Sequence, residues 1–392
     1  MLRAALRMMR ETDPRLLIQL AWKVGVHGSR LVARHRRTFR EGGTFPPFLF
    51  VSVTNRCNLQ CTGCWVEQTD PPVDMPPDLL DAILSRAERE GNRFFGIMGG
   101  EPLLYEPLFD VLRRHRRSYF QLFTNGHRLT DDVAAVLRRL GNVTPLISIE
   151  GLEEESDRRR GGAAVFARSM EAVAACRRHR LVIGTATSVC AANIDDVVNE
   201  AFLRGLIRRG VHYAWYYIYR PAGRTPAPEQ ALDRAQVRRL RRFLVDVRGT
   251  LPLLVVDAYW DQDGRALCPA AAGISHHINP MGCIEPCPPA QFACDRVTVD
   301  TDLAAVFRGS RFLRDFGTIA EGGGCVLLDD PPRLARYAAA YGAVDTGGRG
   351  VDATPPARCG CSHRMDGEEI PERHWAYRLA KRNWFCGFGS YG

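Results

Sequence analysis

Residues 48–64 read FLFVSVTNRCNLQCTGC, and this stretch decides the fold. Its first part, residues 48–53, is a mostly apolar run that is typical of a buried strand. The loop after that strand carries Cys57, Cys61 and Cys64 in a C-x3-C-x2-C spacing. Three thiolates on one short loop can hold three corners of a four-iron cluster. The fourth iron is then left open for another ligand, by the same logic that separates catalytic from structural zinc sites.

Strand-like and helix-like patterns alternate from residue 48 to about residue 220. The predicted strands cover residues 48–53, 94–98, 119–123, 143–149, 181–188 and 212–219. The predicted helices between them cover residues 77–84, 107–116, 131–140, 163–179 and 195–208. Such alternation indicates an α/β fold with a parallel sheet and helices outside it. Because six units are fewer than the eight that close a full barrel, we expect a partial (β/α)6 TIM-like barrel whose chemistry lies at the carboxyl ends of its strands.

The character of the chain changes on both sides of this region. Residues 1–47 are rich in arginine and predict a basic helical N-terminal extension. Residues 228–250 read as one further helix, so we place the end of the barrel domain at residue 250. Residues 251–392 hold eight of the thirteen cysteines, which predicts a loop-rich, cysteine-rich auxiliary domain. The predicted domains are therefore residues 1–47, 48–250 and 251–392.

The composition is that of a globular protein in a reducing compartment. An apolar fraction of 45% is ordinary and supplies enough material for a core. Thirteen cysteines without a secretory signal predict metal-bound thiols in a cytoplasmic protein rather than disulfides. The net charge of +9 comes from dispersed arginines, since Lys23 and Lys381 are the only lysines, and no motif predicts a nucleic-acid partner. No stretch reaches the ~18 apolar residues of a membrane span.

Glycine and polar residues follow the predicted strands where their carboxyl ends should meet. They are Gly99, Gly100, Glu101 and Pro102 after the second strand, Asn125 after the third, Ser148 and Glu150 at the end of the fourth, and Thr187 and Asn193 around the end of the fifth. Glycines let a backbone approach a ligand closely, and carbonyls at a strand end can accept from an ammonium group. Each feature alone is also typical of an ordinary strand-to-helix connection, and three cysteines alone would also suit zinc. Their occurrence together at successive strand ends favours a single site.

Combined with the Gly-Gly-Glu-Pro motif of residues 99–102, the cysteine loop resembles that of the radical S-adenosylmethionine superfamily, and the resemblance covers about residues 48–220. It implies a [4Fe–4S] cluster on Cys57, Cys61 and Cys64 whose open iron binds S-adenosylmethionine. It also implies that a flavodoxin- or ferredoxin-type donor supplies an electron, which cleaves S-adenosylmethionine to methionine and a 5′-deoxyadenosyl radical. That radical would remove a hydrogen atom from a substrate or add to it, so the cofactor carries the chemistry.

The same resemblance gives roles to the residues at the strand ends. It implies that Gly99–Pro102 bind the methionine ammonium and that Ser148 and Glu150 bind the ribose hydroxyls. It implies that Thr187 and Asn193 bind the methionine carboxylate. The family usually has an aromatic residue directly before the third cysteine, near the adenine. This chain has Gly63 in that place, and Trp65 follows the cysteine, so the adenine contact is left open.

A second group of cysteines lies in the tail. Residues 268–287 predict a β-hairpin with a turn at Gly282 that would bring its first and last cysteines together. This hairpin resembles the start of the SPASM or twitch extension of radical S-adenosylmethionine enzymes, which implies one auxiliary iron–sulfur cluster. The candidate ligands of that cluster are Cys268, Cys287, Cys325 and Cys361.

The sequence does not identify the substrate or any catalytic residue beyond the cofactor site. By analogy with the SPASM extension, one hypothesis is a peptide or protein substrate. A second hypothesis is a small-molecule or membrane-lipid substrate, because residues 16–24 predict a basic amphipathic helix suited to the inner membrane face. Helices packed on the surface of a protein show the same pattern. The alternative from another class is a non-catalytic iron–sulfur electron-transfer or scaffold protein.

Overall fold

The computed structural model describes residues 1–40, 45–223, 225–348 and 362–383. Its strands are β1 Phe48–Ser52, β2 Phe94–Met98, β3 Tyr119–Thr124, β4 Val143–Ser148, β5 Gly184–Val189, β6 Tyr213–Ile218, β7 Leu254–Val256, β8 Ser275–Ile278, β9 Cys283–Glu285, β10 Phe292–Ala293, β11 Asp295–Arg296 and β12 Val344–Asp345. Its α-helices are α1 Leu2–Glu11, α2 Pro14–Leu20, α3 Gly28–Arg40, α4 Pro77–Arg89, α5 Leu108–Arg114, α6 Asp131–Leu140, α7 Glu153–Arg160, α8 Val165–Arg178, α9 Ile194–Val197, α10 Glu200–Arg209, α11 Arg234–Thr250, α12 Leu303–Gly309, α13 Arg311–Asp315, α14 Val326–Asp329, α15 Pro331–Ala340 and α16 Trp375–Asn383. A π-helical turn covers Ala21–His27, and 3₁₀ turns cover Pro102–Leu104, Pro228–Gln230, Phe316–Ile319 and Glu321–Gly323.

Ten strands form one sheet in the order β11-β9-β8-β1-β2-β3-β4-β5-β6-β7. Strands β1 to β7 are parallel and lie side by side in chain order. The sheet does not close on itself over the described residues, which confirms the predicted partial barrel. The pattern had predicted six parallel strands. The seventh, β7, has only three residues, too few to show an alternation of apolar and polar positions.

The predicted elements of residues 48–220 are present with small shifts of their ends. One predicted helix, residues 195–208, is divided into α9 and α10. The division occurs at Asn199, whose side-chain oxygen accepts a hydrogen bond from the Phe202 N–H at 2.8 Å and so caps the second helix. The break therefore follows from a capping residue inside an otherwise periodic stretch.

The two faces of the sheet pack against different partners. Leu49 and Val51 of β1 belong to the main core, together with Leu80 on α4. The alternate residues Phe48 and Phe50 lie on the other face of the strand, in a separate cluster with Met98 and Ile274. The first face is thus covered by helices, while the second surrounds the inside of the open barrel.

The N-terminal extension lies across the amino ends of the barrel strands. Asp13 pairs with Arg138 at 2.7 Å, and its N–H donates to the carbonyl of Arg180, four residues before β5. Arg7 donates to the carbonyl of Pro252 at 2.9 Å, just before β7. Lys23 donates to the carbonyl of Arg116 at 2.5 Å, before β3. The helices of this segment are therefore packed on the body of the protein.

Residues beyond 250 extend the sheet at both of its sides. Strand β7 pairs with β6, and β8 pairs in parallel with β1. Strands β8 and β9 form the predicted antiparallel hairpin, with Gly282 in its turn at φ +82°. A Cβ atom at Gly282 would lie 2.4 Å from the Val297 carbonyl oxygen, so the turn requires glycine. The sheet continues past residue 250, and the division into domains stays a prediction.

Across the residues that the structure describes, no helix combines the length and the apolar character that crossing a bilayer requires.

Candidate active site

The turn after β2 holds the cysteine loop against the sheet. The N–H of Gly100 donates to the Thr54 carbonyl at 2.8 Å, and the N–H of Glu101 donates to the Arg56 carbonyl at 2.8 Å. A Cβ atom at Gly99 would lie 2.3 Å from the carbonyl oxygen of Thr54. One at Gly100 would lie 2.3 Å from the carbonyl oxygen of Arg56. Both positions therefore require glycine, because the backbone of the cysteine loop itself comes this close.

Glu101 joins the ends of β2 and β3 beneath that loop. Its buried carboxylate accepts from the Thr124 hydroxyl at 2.7 Å and from the Asn125 backbone N–H at 2.7 Å. Burial raises the pKa of the Glu101 carboxyl. Pro102 begins the 3₁₀ turn that follows, and the Asn125 amide nitrogen lies 3.9 Å from the Cys57 Sγ. Glu101 thus supports the loop from below, and its contact with a methionine ammonium stays a prediction.

The three thiols of the loop influence one another electrostatically. Burial first, and then the neighbouring thiols of Cys61 and Cys57, raise the pKa of Cys64 to about 12. The guanidinium of Arg160 acts in the opposite direction on Cys57 and Cys64. Thiols of this kind become thiolates when a bound metal stabilises the charge, so they suit metal ligands.

The donor set of the loop fits an iron–sulfur cluster in number and kind. Among residues 1–40, 45–223, 225–348 and 362–383, no group of three His, Cys, Asp or Glu side chains is arranged to hold a single metal ion. A four-iron cluster does not require three side chains to converge on one metal ion, because each thiolate binds a different iron. Three thiols would leave one iron of such a cluster without a ligand from this loop.

A cavity of about 340 Å³ lies at the carboxyl ends of the strands. The strand-end residues that line it are Met98 of β2, Ser148 of β4, Ser188 of β5 and Ile218 of β6. The thiols that line it are Cys61 and Cys64 of the loop and Cys268, Cys287 and Cys325 of the tail. Ser148 and Glu150 are the two predicted nucleotide-binding residues in its wall. The fold therefore brings both cysteine groups and the end of β4 to one cavity.

Glu150 is held by two arginines that sequence reasoning did not select. Arg159 Nη1 lies 2.6 Å from one carboxylate oxygen of Glu150, and Arg160 Nη2 lies 3.1 Å from the other. Both arginines are on the last turn of α7 and line the cavity. Arg160 also interacts electrostatically with Cys61. Positive charge therefore stands between the loop thiols and Glu150, whose ribose contact stays a prediction.

Thr187 and Asn193 use their polar groups on the backbone beside the cavity. The Thr187 hydroxyl donates to the Ile149 carbonyl at 2.8 Å, and the Asn193 amide donates to the Glu150 carbonyl at 2.8 Å. Both side chains are buried. They brace the end of β4, while the neighbouring Ser188 is the residue of this group that lines the cavity. A role of Thr187 and Asn193 at a methionine carboxylate stays a prediction.

Tyr219 fills the space that Gly63 leaves before the third cysteine. A Cβ atom at Gly63 would lie 2.1 Å from the Tyr219 hydroxyl oxygen, and Gly63 has a φ of +68°. That hydroxyl accepts from the Ala227 N–H at 3.1 Å, and the Arg159 guanidinium lies 5.4 Å from the ring centroid. The aromatic side chain at this point therefore comes from the end of β6 rather than from the loop. The aromatic run of residues 213–219 was its signal in the sequence.

The tail thiols Cys268, Cys287 and Cys325 line the same cavity, whereas the hairpin pattern predicted only that Cys268 and Cys287 converge. Burial, followed by the charge of Cys325, raises the pKa of Cys268 to about 11. Burial also raises the pKa of Cys287, and both neighbouring thiols add to the effect. Cys361, the fourth candidate ligand, lies outside the described residues.

A buried hydrogen-bonded chain next to the cavity was not predicted. The Ser52 hydroxyl lies 2.7 Å from His277 Nε2, and His277 Nδ1 lies 2.6 Å from the Glu285 carboxylate. The Trp65 ring meets His277 edge-on at 5.6 Å between centroids. This chain ties the β8–β9 hairpin to β1 at the end that carries the cysteine loop.

The sequence of the barrel matches a known family. Residues 51–201 match the family described as the Radical SAM superfamily. The pre-heme d1 synthase of Dinoroseobacter shibae is 28% identical over 211 residues, 52% of this chain and 51% of that enzyme. The PqqA peptide cyclase of Streptomyces rochei is 26% identical over 269 residues, 66% of this chain and 73% of that enzyme. The chain therefore carries a region, residues 51–201, that is similar to the radical SAM superfamily.

Solved structures share the fold. SuiB of Streptococcus suis, solved with S-adenosylmethionine, superposes with a TM-score of 0.62 at 16% identity, covering 73% of this chain and 72% of SuiB. SuiB has also been solved with its precursor peptide SuiA. The chain spans about half the length of the pre-heme d1 synthase, so the likeness covers only part of that enzyme.

Proposed function

We propose that this protein is a radical S-adenosylmethionine enzyme. A [4Fe–4S] cluster on Cys57, Cys61 and Cys64 supplies, when bound, the electron that cleaves S-adenosylmethionine to methionine and a 5′-deoxyadenosyl radical. The observation that supports this most strongly is the shared cavity, in which Cys61 and Cys64 line one wall with Ser148 and Glu150. A flavodoxin- or ferredoxin-type protein is the proposed electron donor.

The surrounding residues divide the remaining tasks. The Gly99–Pro102 turn positions the loop, and Arg160 offsets the negative charge of thiolates bound to iron. The Ser148 hydroxyl and the Glu150 carboxylate are suited to ribose hydroxyls. Apolar side chains of Phe50 and Phe123 line the cavity and exclude water from a reactive intermediate.

We also propose a second iron–sulfur cluster on the tail thiols. Cys268, Cys287 and Cys325 line the same cavity as the cysteine loop, and the charge of Cys325 contributes to the raised pKa values of Cys268 and Cys287. Three thiols that line one cavity could supply most of the ligands of such a cluster. The position of these thiols in the cavity wall would place the second cluster beside the substrate.

A peptide is the proposed substrate. One similar protein is named as a peptide cyclase, the PqqA peptide cyclase. Another, SuiB, has been solved with its precursor peptide SuiA. The tail extends the sheet of the barrel, because β8 pairs with β1 and β9 pairs with β8. We infer that a segment of a peptide enters the cavity between the two thiol groups.

The first experiment measures cleavage of S-adenosylmethionine. Anaerobically reconstituted protein with dithionite should form methionine and 5′-deoxyadenosine, both measured by liquid chromatography and mass spectrometry. The C57A/C61A/C64A variant should form neither above background, because no cluster remains to transfer the electron. Cys294 is an exposed cysteine outside both groups, so Cys294→Ala is the matched control and should keep full activity.

Two results would contradict the proposal. Full cleavage by the triple alanine variant would exclude this loop as the cluster site. An iron-loaded wild-type protein that cleaves no S-adenosylmethionine would instead support the alternative, a non-catalytic electron-transfer or scaffold protein.

A lipid substrate is a second candidate, favoured by the surface of the N-terminal helices. Leu2, Ile18 and Trp22 are 74%, 68% and 56% exposed, on a segment that also carries Arg3 and Arg10. Exposed apolar side chains next to arginines suit an anionic membrane surface. Sedimentation with phosphatidylglycerol vesicles tests this, with an I18S/W22S variant as comparison. Binding that the variant loses favours the lipid, whereas 5′-deoxyadenosine formation stimulated by peptides encoded beside the gene favours the peptide.

A further inference from the structure

Arg220 brings a fixed positive charge to the tail thiols. It lies two residues beyond the end of β6, and its Nε donates to the Cys325 Sγ at 3.0 Å. Its Nη1 donates to the Tyr259 hydroxyl at 3.0 Å, and the guanidinium carbon lies 4.7 Å from the Tyr259 ring centroid. The two hydrogen bonds and the ring contact hold the guanidinium in one orientation, with an N–H directed at sulfur.

The charge around Arg220 favours an anion at the tail thiols. Within the described parts of the chain, Arg220 forms no ion pair with a carboxylate, whereas Arg159 and Arg160 in the same cavity wall both pair with Glu150. A guanidinium that is partly withdrawn from water without a paired carboxylate is costly. The groups that interact with it are the thiols of Cys325, Cys287 and Cys268, the phenol of Tyr259 and, beyond ion-pair distance, the carboxyl of Asp329, whose pKa burial raises. Thiolates bound to iron would supply the missing negative charge.

Two consecutive residues after β6 contact the two groups of cysteines. Tyr219 reaches the space beside Gly63 on the cysteine loop, and Arg220 reaches Cys325 in the tail. Arg220 therefore lies in the wall between the proposed nucleotide site and the proposed second cluster.

We propose that Arg220 is a positioning residue for a second iron–sulfur cluster on Cys268, Cys287 and Cys325, and that its N–H···S bond and charge stabilise the reduced form of that cluster. This rests on the second cluster of the proposed function. One-electron reduction adds a negative charge to a cluster, and a nearby cation with a donor directed at sulfur favours that charge. Arg220 therefore raises the reduction potential of the second cluster relative to the same cluster without it.

The test uses the full-length C57A/C61A/C64A protein, in which the tail thiols are the proposed cluster ligands that remain. After anaerobic reconstitution, iron is counted and the potential is measured by a dithionite titration followed by electron paramagnetic resonance. Arg220→Gln should lower the potential and the iron content, since it removes both the charge and the directed donor. The potential and iron content of Arg220→Lys should lie between those of the protein with Arg220 and those of Arg220→Gln, because lysine keeps the charge and loses the planar guanidinium.

Tyr259→Phe is the matched control, since it removes the hydroxyl that accepts from Arg220 and leaves the ring contact and the Nε–H···S bond. It should keep the iron content and shift the potential less than Arg220→Gln does. Unchanged potential and iron content in Arg220→Gln would overturn the role of Arg220. A folded triple alanine protein that binds no iron would instead remove the second cluster itself, so the failures are distinguishable.

If the triple alanine protein does not fold, the same variants are made in the wild-type chain. S-adenosylmethionine then perturbs the spectrum of the cluster with the open iron on the cysteine loop, and the signal it leaves unchanged is assigned to the second cluster. A lowered potential of that signal in Arg220→Gln supports the proposal, and an unchanged or raised potential overturns it.

Discussion

At the scale of single residues, Tyr219 supplies the aromatic side chain that position 63 lacks. The loop has no side chain before Cys64, and the ring of Tyr219 lies where one would project. Tyr219 is held there by the Ala227 N–H and by Arg159. An aromatic ring fixed at the wall of the cavity can stack on a planar base.

Replacing Tyr219 tests that interpretation. Stacking of a base on an aromatic side chain contributes ~1–3 kcal/mol, so Tyr219→Ala should weaken S-adenosylmethionine binding about tenfold or more. Tyr219→Phe keeps the ring and should bind almost as the wild type does. Equilibrium dialysis with the iron-loaded protein measures both, with iron content checked in parallel. Equal affinities of the alanine variant and the wild type would show that the ring does not contact the nucleotide.

At the scale of elements, the turn after β2 determines the shape of the cysteine loop. The turn is buttressed twice, by backbone hydrogen bonds to the loop and by the Glu101 carboxylate, which reaches the end of β3. No side chain can be added at Gly99 or Gly100 without displacing a carbonyl of the loop. The glycines of this motif are thus explained by packing between two loops, whatever ligand they also meet.

Gly100→Ala should therefore displace the loop and lower the iron content while the barrel remains folded. Its Cβ atom would lie 2.3 Å from the Arg56 carbonyl oxygen, a contact that requires the loop backbone to move. Gly249→Ala is the control, because a Cβ atom there meets nothing within 4 Å and alanine favours the helix α11. Iron analysis and circular dichroism distinguish the two effects. Full iron content in Gly100→Ala would show that the loop tolerates the displacement.

At the scale of the whole molecule, a buried ion cluster fastens the C-terminal segment to the barrel. Its members have fully buried side chains and are Arg241 and Arg248 on α11, Asp257 after β7, Glu372, and Lys381 on α16. Lys381 donates to both Asp257 oxygens at 3.0 and 3.1 Å. The nearby cations hold the pKa of Asp257 below its usual range, although burial acts against them. Ionic contacts of the tail therefore replace part of an apolar interface at this edge of the sheet.

Removing one anion from this cluster should be strongly destabilising. Glu372→Ala would leave three buried cations opposed by Asp257 alone, at a cost of ~3–5 kcal/mol in the free energy of unfolding. Thermal unfolding and the rate of proteolysis within residues 362–383 measure the effect. Glu369→Ala, at an exposed carboxylate of the same segment, is the control and should change neither. Equal melting temperatures of the two variants would show that the cluster does not fasten the tail.

Much of the barrel was predictable because its signals are local. Each parallel strand is a short apolar run followed by a helix with its own periodicity, and the cysteine and glycine motifs lie directly behind such runs. Residues such as Arg159, Arg160 and Arg220 were not predictable as site residues. Their patterns, a charged helix end and a single arginine after an aromatic strand, occur equally on ordinary surfaces.

The sequence by itself determined the alternation of strands and helices, the C-x3-C-x2-C loop and the position of polar residues at strand ends, since these depend on neighbours along the chain. Tertiary structure alone decided that the tail cysteines share a cavity with the loop, that Tyr219 fills the place beside Gly63, and that β8 pairs with β1. These contacts join residues far apart in the chain. Their formation depends on how the whole open sheet curves around its interior, which no local pattern records.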